Sequence, residues 1–190
     1  MAQGIILAAG FSSRAKSNKM LLEIRGVSLL EHAIMGMKPF VSHIYVVTGH
    51  FHTEINDRLS YDQHVSCIYN ANYEQGMFSS IKTGVFVVDE DFFILPGDCP
   101  FVQKETYQAL LNGNHLIRVP SFNKQRGHPI WMDYSLKKKL LDEPIDSSLK
   151  TFRNRYEFET IDVSDSHILD DIDTLIDYQK IILEDKNNGN

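Results

Sequence analysis

At 190 residues, 43% hydrophobic and 23% charged, the chain has the size and balance of a single globular domain with a substantial core. Its formal net charge of −6 argues against nucleic acid as the main partner, because a phosphate backbone calls for a broad basic surface; any anion site must be local. No apolar run reaches the length of a membrane span, the first residues lack the basic lead of a secretory signal, and no membrane role is expected.

The first strand is "GIILA" (4–8). A helix follows over "SLLEHAIMGMK" (28–38), where Ser28 with Glu31 three residues on has the pattern of a capping box and Pro39 stops the helix. Strands come next at "HIYVVTG" (43–49) and "VSCIYN" (65–70), then a helix over "SSIKTGVFVV" (79–88). A strand "DFFILPGD" (91–98), a helix "VQKETYQALLN" (102–112) and a strand "HLIRVP" (115–120) continue the alternation. "GHPIWM" (127–132) reads as a further strand, placed at a sheet edge because Pro129 cannot donate to a ladder. Residues 133–154 read as helical, with "KKK" (137–139) as a solvated helix face; "YEFETIDV" (156–163) is a late strand and "TLIDYQKIILED" (174–185) a closing helix. The strands are continuously apolar rather than alternating, which predicts a mostly parallel α/β sheet covered on both faces. One domain over 1–185 and a frayed, disordered tail at 186–190 are expected. Cys67 and Cys99 fall in strand-like segments far from any C-x-x-C spacing, as small core residues of a reducing, cytoplasmic compartment would. His50 and His52 have no third ligand nearby in sequence and read as an exposed loop.

In such sheets ligands collect at the carboxyl ends of the strands. The loop at 9–19, the turn after "VVTG", the loop "NANYEQGMF" (70–78) and the turn "PGDCP" (96–100) can all line one crevice. The first loop has neither a G-x-G-x-x-G fingerprint nor a P-loop. Leu7, Ala8, Ala9 and Gly10 let backbone approach a ligand, and Arg14 with Lys19 reaching over them suits a triphosphate. A solvated loop with scattered cations fits the same spacing. Asp98, held in Pro-Gly-Asp-Cys-Pro, is either a carboxylate for Mg²⁺ or a turn former and cap for the following helix.

"LAAGFSSRAKSNKMLL" (7–22) resembles the L-A-A-G-x-S-x-R-x-G-x-x-K-L-L signature of the MobA-like nucleotidyltransferases, which include molybdenum-cofactor cytidylyl- and guanylyltransferases. The likeness continues, in order, through "NANYEQGMFSSIKTGV" (70–85), "GDCPFV" (97–102), "RGHPIWM" (126–132) and "DDIDTLIDY" (170–178). "LAAG" and "RGHP" are similar to the cytidylyl branch; the guanylyl branch usually reads L-A-G-G. The resemblance implies a three-layer α/β/α, Rossmann-like nucleotidyltransferase fold. It further implies Mg²⁺-dependent transfer of CMP from CTP, or of another nucleoside monophosphate, to a small phosphorylated acceptor such as molybdopterin, with a molybdoenzyme or its chaperone receiving the product. Arg14, Lys19 and Asp98 are then the catalytic residues, Asp98 and Asp173 the metal ligands with Asp171 a weaker candidate, Gly76, Met77 and Ser80 the base contacts, and Arg126 and His128 the acceptor side. Each has a plainer reading: Asp173 as a helix cap, Met77 as core packing, His128 as a structural histidine. Lys16 stands where the family usually has glycine, and Leu175 and Ile176 replace the usual Pro-Glu. Transfer to a sugar phosphate, a metal-dependent glycosyltransferase, and a non-catalytic nucleotide-binding accessory protein are the alternatives.

Overall fold

Alternate residues of the first strand enter two different cores, and this sets the architecture. In β1 (Ala2–Ala8), Ile6 and Ala8 join one apolar cluster while Ile5 and Leu7 join another on the opposite face. β6 (Phe92–Pro96) divides in the same way, Phe93 and Leu95 against Phe92 and Ile94. A strand buried on both faces must be apolar throughout, which is why the pattern is continuous. The computed structural model describes residues 1–10, 18–170, 172 and 178. Arg14, Lys16, Asp171, Asp173, Leu175, Ile176, the closing helix expected over 174–185 and the tail lie outside them.

One layer is formed by α1 (Leu29–Met37), α2 (His52–Leu59) and α4 (Lys104–Leu111). The other contains α3 (Met77–Val87), α5 (Lys137–Leu141) and α6 (Leu149–Arg153). Between them lies the sheet of β1 and β6 with β4 (Val41–Thr48), β5 (Val65–Tyr69), β7 (Ile117–Phe122), β9 (Ile130–Met132) and β10 (Glu159–Asp162), ordered β10-β7-β9-β6-β1-β4-β5. β8 (Gln125–Arg126) pairs with β7 beside this path, and β2 (Glu23–Ile24) with β3 (Val27–Ser28) forms a separate small hairpin. β1 pairs in parallel with β4 on one side and β6 on the other. The chain leaves β1 toward β4 and β5, then returns to β6 on the opposite flank. This reversal makes a topological switch point at the carboxyl ends of β1 and β6, where such sheets open a crevice.

Four expectations are corrected. β9 is antiparallel to both β6 and β7 and so lies inside the sheet, not at an edge; Pro129 precedes the strand and removes no ladder bond. The stretch 133–154 is broken between α5 and α6, because Pro144 lacks the N–H that a continuing helix needs. His52 opens α2, whose mostly polar sequence buries only Ile55 and Leu59 and so gave little periodic signal. Cys99 sits in the turn after β6 rather than in a strand, with its N–H on the Pro96 carbonyl.

The capping box at α1 forms as its sequence predicts, and Glu31 does more than cap. Its carboxylate accepts from the Ser28 N–H at 2.9 Å, from Arg58 of α2 at 2.9 and 3.1 Å, and from the Tyr61 hydroxyl at 3.0 Å. Burial by itself would raise the carboxyl, but the bonds from Arg58, Ser28 and Tyr61 outweigh it and hold Glu31 at about 2 against an ordinary 4.5. A depressed carboxylate contributes stability that is complete above its unfolded pKa and is lost as pH falls toward the folded one. Resistance to urea is therefore expected to fall between pH 4.5 and 2 more steeply in the wild type than in Glu31→Gln. Ser28→Ala should cost about 1 kcal/mol at neutral pH.

Candidate functional site

Two turns meet at the switch point. Asn18 caps a short 3-10 turn over Lys19–Leu21 by accepting from the Met20 N–H at 3.2 Å, and Met20 is buried beneath it. Anchored this way, Lys19 extends to the turn after β6, its Nζ 2.8 Å from Asp98 Oδ2 and 3.3 Å from the Ile172 carbonyl. The Ile172 N–H in turn donates to the Asp98 carbonyl at 3.2 Å. Three segments remote in sequence are thus joined at one point, with the lysine and carboxylate side chains only 17% and 18% exposed. Such a pair gains little net stability, since desolvation offsets the Coulomb attraction. Its value is positional: a cation and an anion stand side by side at the switch point.

The donor set suits a hard divalent cation with a polyphosphate. Lys19 engages Oδ2 of Asp98, and Oδ1 has no hydrogen-bond donor among the described residues. The Asn18 side-chain amide, Nδ2, is buried with no acceptor among the described residues. A carboxylate oxygen beside a lysine is what a magnesium-bound phosphate chain would engage.

The loop after β5 is built by Asn70, whose Nδ2 donates to Ser79 Oγ at 2.9 Å and Ser80 Oγ at 3.0 Å. Ser80 is buried and lines neither cavity described below, so it acts from beneath as a brace for this loop. Gly76 turns the chain into α3 with φ +96°, a conformation that disfavours any side chain. Met77 then emerges 63% exposed, which removes core packing as its role. Leu7, Ala8 and Ala9 are buried at the end of β1, and Gly10 is exposed.

On the far side of β6, the chain between β8 and β9 passes so close to the Ile168 backbone that a Cβ on Gly127 would lie 2.2 Å from the Ile168 carbonyl oxygen. Only glycine permits this approach, and the His128 N–H bonds to that same carbonyl at 2.9 Å. His128 is left with a buried Nδ1 that has no partner among the described residues. Burial lowers its pKa, opposed by the Asp98 charge and assisted by the Arg153 charge, so the ring is neutral at neutral pH.

Two adjoining cavities result. The larger, about 510 Å³, is bounded by α3, the β1, β6 and β9 strands and the segment 145–153. The smaller, about 230 Å³, holds Asp98, Arg126, Ile168 and Asp170. Met77, Pro96 and His128 belong to both walls. Asp98, Gly76, Met77, Arg126 and His128 line these two adjoining cavities, Lys19 is joined to them through Asp98, and the wall at 145–153 is the part that sequence reading passed over. Pro144 and the Ser148 cap, which accepts from the Thr151 N–H at 3.0 Å, were the available signals for the turn that builds it.

Residues 4–160 match the family model described as the MobA-like NTP transferase domain. The molybdenum cofactor cytidylyltransferase of Escherichia coli is 28% identical over 176 residues, 92% of each chain. Among solved structures, a nucleotidyl transferase from Methanothermobacter superposes with a TM-score of 0.83 at 20% identity, covering 100% of this chain and 99% of that one. Rv0371c from Mycobacterium tuberculosis, solved in complex with manganese, gives 0.78 at 20% identity over 96% and 98%.

Gly127→Ala is expected to cost about 1–3 kcal/mol, as overpacking does, because backbone rather than a flexible side chain blocks the new methyl. Thermal unfolding measures this, and a neutral substitution would show that the close approach is not required.

Proposed function

The chain belongs to the MobA-like NTP transferase family, and from that premise we propose that it moves CMP from CTP to a small phosphorylated acceptor of the molybdopterin type, releasing pyrophosphate. The observation that carries the reading is the Lys19–Asp98 contact at 2.8 Å, which puts a phosphate-binding cation beside a metal-binding carboxylate at the switch point. An oxygen of the acceptor phosphate attacks the α-phosphorus of the triphosphate, and the bond from that phosphorus to the bridging oxygen breaks as pyrophosphate leaves. The acceptor is already an anion, so no strong base is required. His128 serves to line the path between the cavities.

Lys19 neutralises charge on the triphosphate and on the departing pyrophosphate, and Arg14 from the same loop is assigned the same work. Asp98, with Asp173 as its second carboxylate, holds Mg²⁺; when bound, the ion supplies positive charge to the phosphate oxygens. Leu7, Ala8, Ala9 and Gly10 let the chain approach the nucleotide closely, while Gly76 and Met77 face the base and Ser80 supports them. Arg126 and His128 lie on the acceptor side. The 28% identity to a cytidylyltransferase across 92% of both chains favours CTP and a molybdopterin acceptor. A cytoplasmic setting, and a molybdoenzyme or its chaperone as recipient, go with this reading.

Pyrophosphate release with Mg²⁺, each of the four common nucleoside triphosphates and molybdopterin tests it, and CTP is expected to be preferred. Lys19→Ala and Asp98→Ala should each lower the rate by ~10²-fold or more, on the scale of lost transition-state donors, with the circular dichroism of the folded protein unchanged. Activity near the wild-type level in either variant would sink the site assignment.

A further inference from the structure

The hairpin of β2 and β3 follows Lys19 directly and is too short to hold itself in place. It has two residues in each strand, forms a sheet apart from the main one, and turns through Arg25 and Gly26 at φ +54° and +79°. A two-stranded ribbon is marginal at best by itself. The 3-10 turn over Lys19–Leu21 runs straight into it, the Leu22 N–H donating to the Lys19 carbonyl at 3.2 Å. Where the hairpin sits therefore sets where Lys19 can reach.

Its anchors come from remote segments. Ile24 and Leu29 are buried with Ile172 in a small apolar cluster distinct from the two main cores, and Leu22, Phe101 and Tyr178 pack against it. Phe101 lies three residues after Asp98, so one cluster backs both members of the Lys19–Asp98 pair. Alternate residues of an antiparallel ladder exchange bonds across it. The Leu29 N–H bonds to the Leu22 carbonyl at 3.0 Å, so the next carbonyl, that of Glu23, points away from β3. The Tyr178 hydroxyl donates to that carbonyl at 2.5 Å. Ile172 meanwhile gives its N–H to the Asp98 carbonyl at 3.2 Å and accepts from Lys19 Nζ at 3.3 Å. The Glu23 side chain is also held, by Arg58 at 2.9 Å, but that pair is 46% and 38% exposed and so contributes little.

We propose that Tyr178 is a positioning residue for Lys19. Its hydroxyl latches the hairpin from the outside while Ile172 bonds both members of the pair, and together they fix the lysine before a phosphate chain arrives. A lysine stem is long and flexible, and ordering it during binding costs affinity. The latch moves that cost into folding. By reciprocity, a ligand that binds the held lysine must tighten the latch. The work given to Lys19 rests on the nucleotidyl-transfer reading; the latch stands on its own contacts.

Calorimetric titration with inorganic pyrophosphate in saturating Mg²⁺ tests this. Tyr178→Phe keeps the ring in the cluster and removes the hydroxyl, and it should weaken pyrophosphate binding ~5-fold, the scale of one neutral hydrogen bond. In a Lys19→Ala background the same substitution should change affinity by less than ~1.5-fold, because its effect runs through the lysine. Tyr61→Phe, which removes another phenol of this region, bonded to Glu31 at 3.0 Å, should lower stability and leave the affinity as it was. An unchanged affinity in Tyr178→Phe, or an equal loss with and without Lys19, overturns the proposal. If circular dichroism shows Tyr178→Phe to be unfolded, amide exchange in the wild type decides: Mg²⁺ with pyrophosphate should slow the Leu29 and Ile172 amides together, and an unaffected Leu29 overturns the latch. A wild type that binds no pyrophosphate overturns the nucleotidyl-transfer reading instead. Faster exchange at Leu29 and Ile172 in Tyr178→Phe would then still support the latch, and unchanged exchange would overturn it.

Discussion

The structure turns on a single contact across the switch point, the 2.8 Å pair between Lys19 and Asp98. Its partners sit at the ends of adjacent parallel strands, one leaving β1 and the other β6. The reversal of strand order about β1 opens the space above these two strands, and the pair occupies its floor. Ile172, bonded to both Lys19 and Asp98 through its backbone, ties a late segment of the chain to the same point. A half-buried ion pair is a weak stabiliser. Its placement here is better explained by what it can bind than by what it adds to folding.

From that floor the crevice divides by charge. Toward β5 and α3 it is shaped by backbone, with Gly76 in a left-handed turn and Met77 pushed into the open. Toward β9 and α6 it becomes an apolar hollow with a cationic rim. His128 stands where the two parts meet, neutral and with one nitrogen unpaired among the described residues. This division suits a reaction that needs two anionic groups brought together and little proton transfer: positioning and fixed charge supply most of the rate.

Much of this was legible in the sequence, for identifiable reasons. Continuous apolar runs disclosed strands buried on both faces, and Ser28 with Glu31 disclosed the start of α1. The prolines and glycine around Asp98 marked a fixed turn at a strand end. Other features depend on contacts between remote segments and leave no local trace. The burial of Arg153 with no acid partner among the described residues is visible only once α6, β8 and Phe158 are assembled. The exposure of Met77, whose plainer reading is core packing of the following helix, depends on where α3 begins relative to the crevice. Two misreadings came from weighting one residue wrongly: Pro129 was given too much influence on β9, and Pro144 too little on the helix it interrupts.

The central claim is that Asp98 joins a divalent ion to a nucleoside triphosphate at the switch point. CTP affinity measured calorimetrically with Mg²⁺ and then with EDTA, in the wild type and in Asp98→Asn, tests it most directly. A shared site predicts that Mg²⁺ tightens CTP binding by ~10-fold or more, within the usual range of coupling between bound ligands, and that Asp98→Asn removes the gain. CTP binding that is indifferent to Mg²⁺, or a gain that survives in Asp98→Asn, would contradict the account.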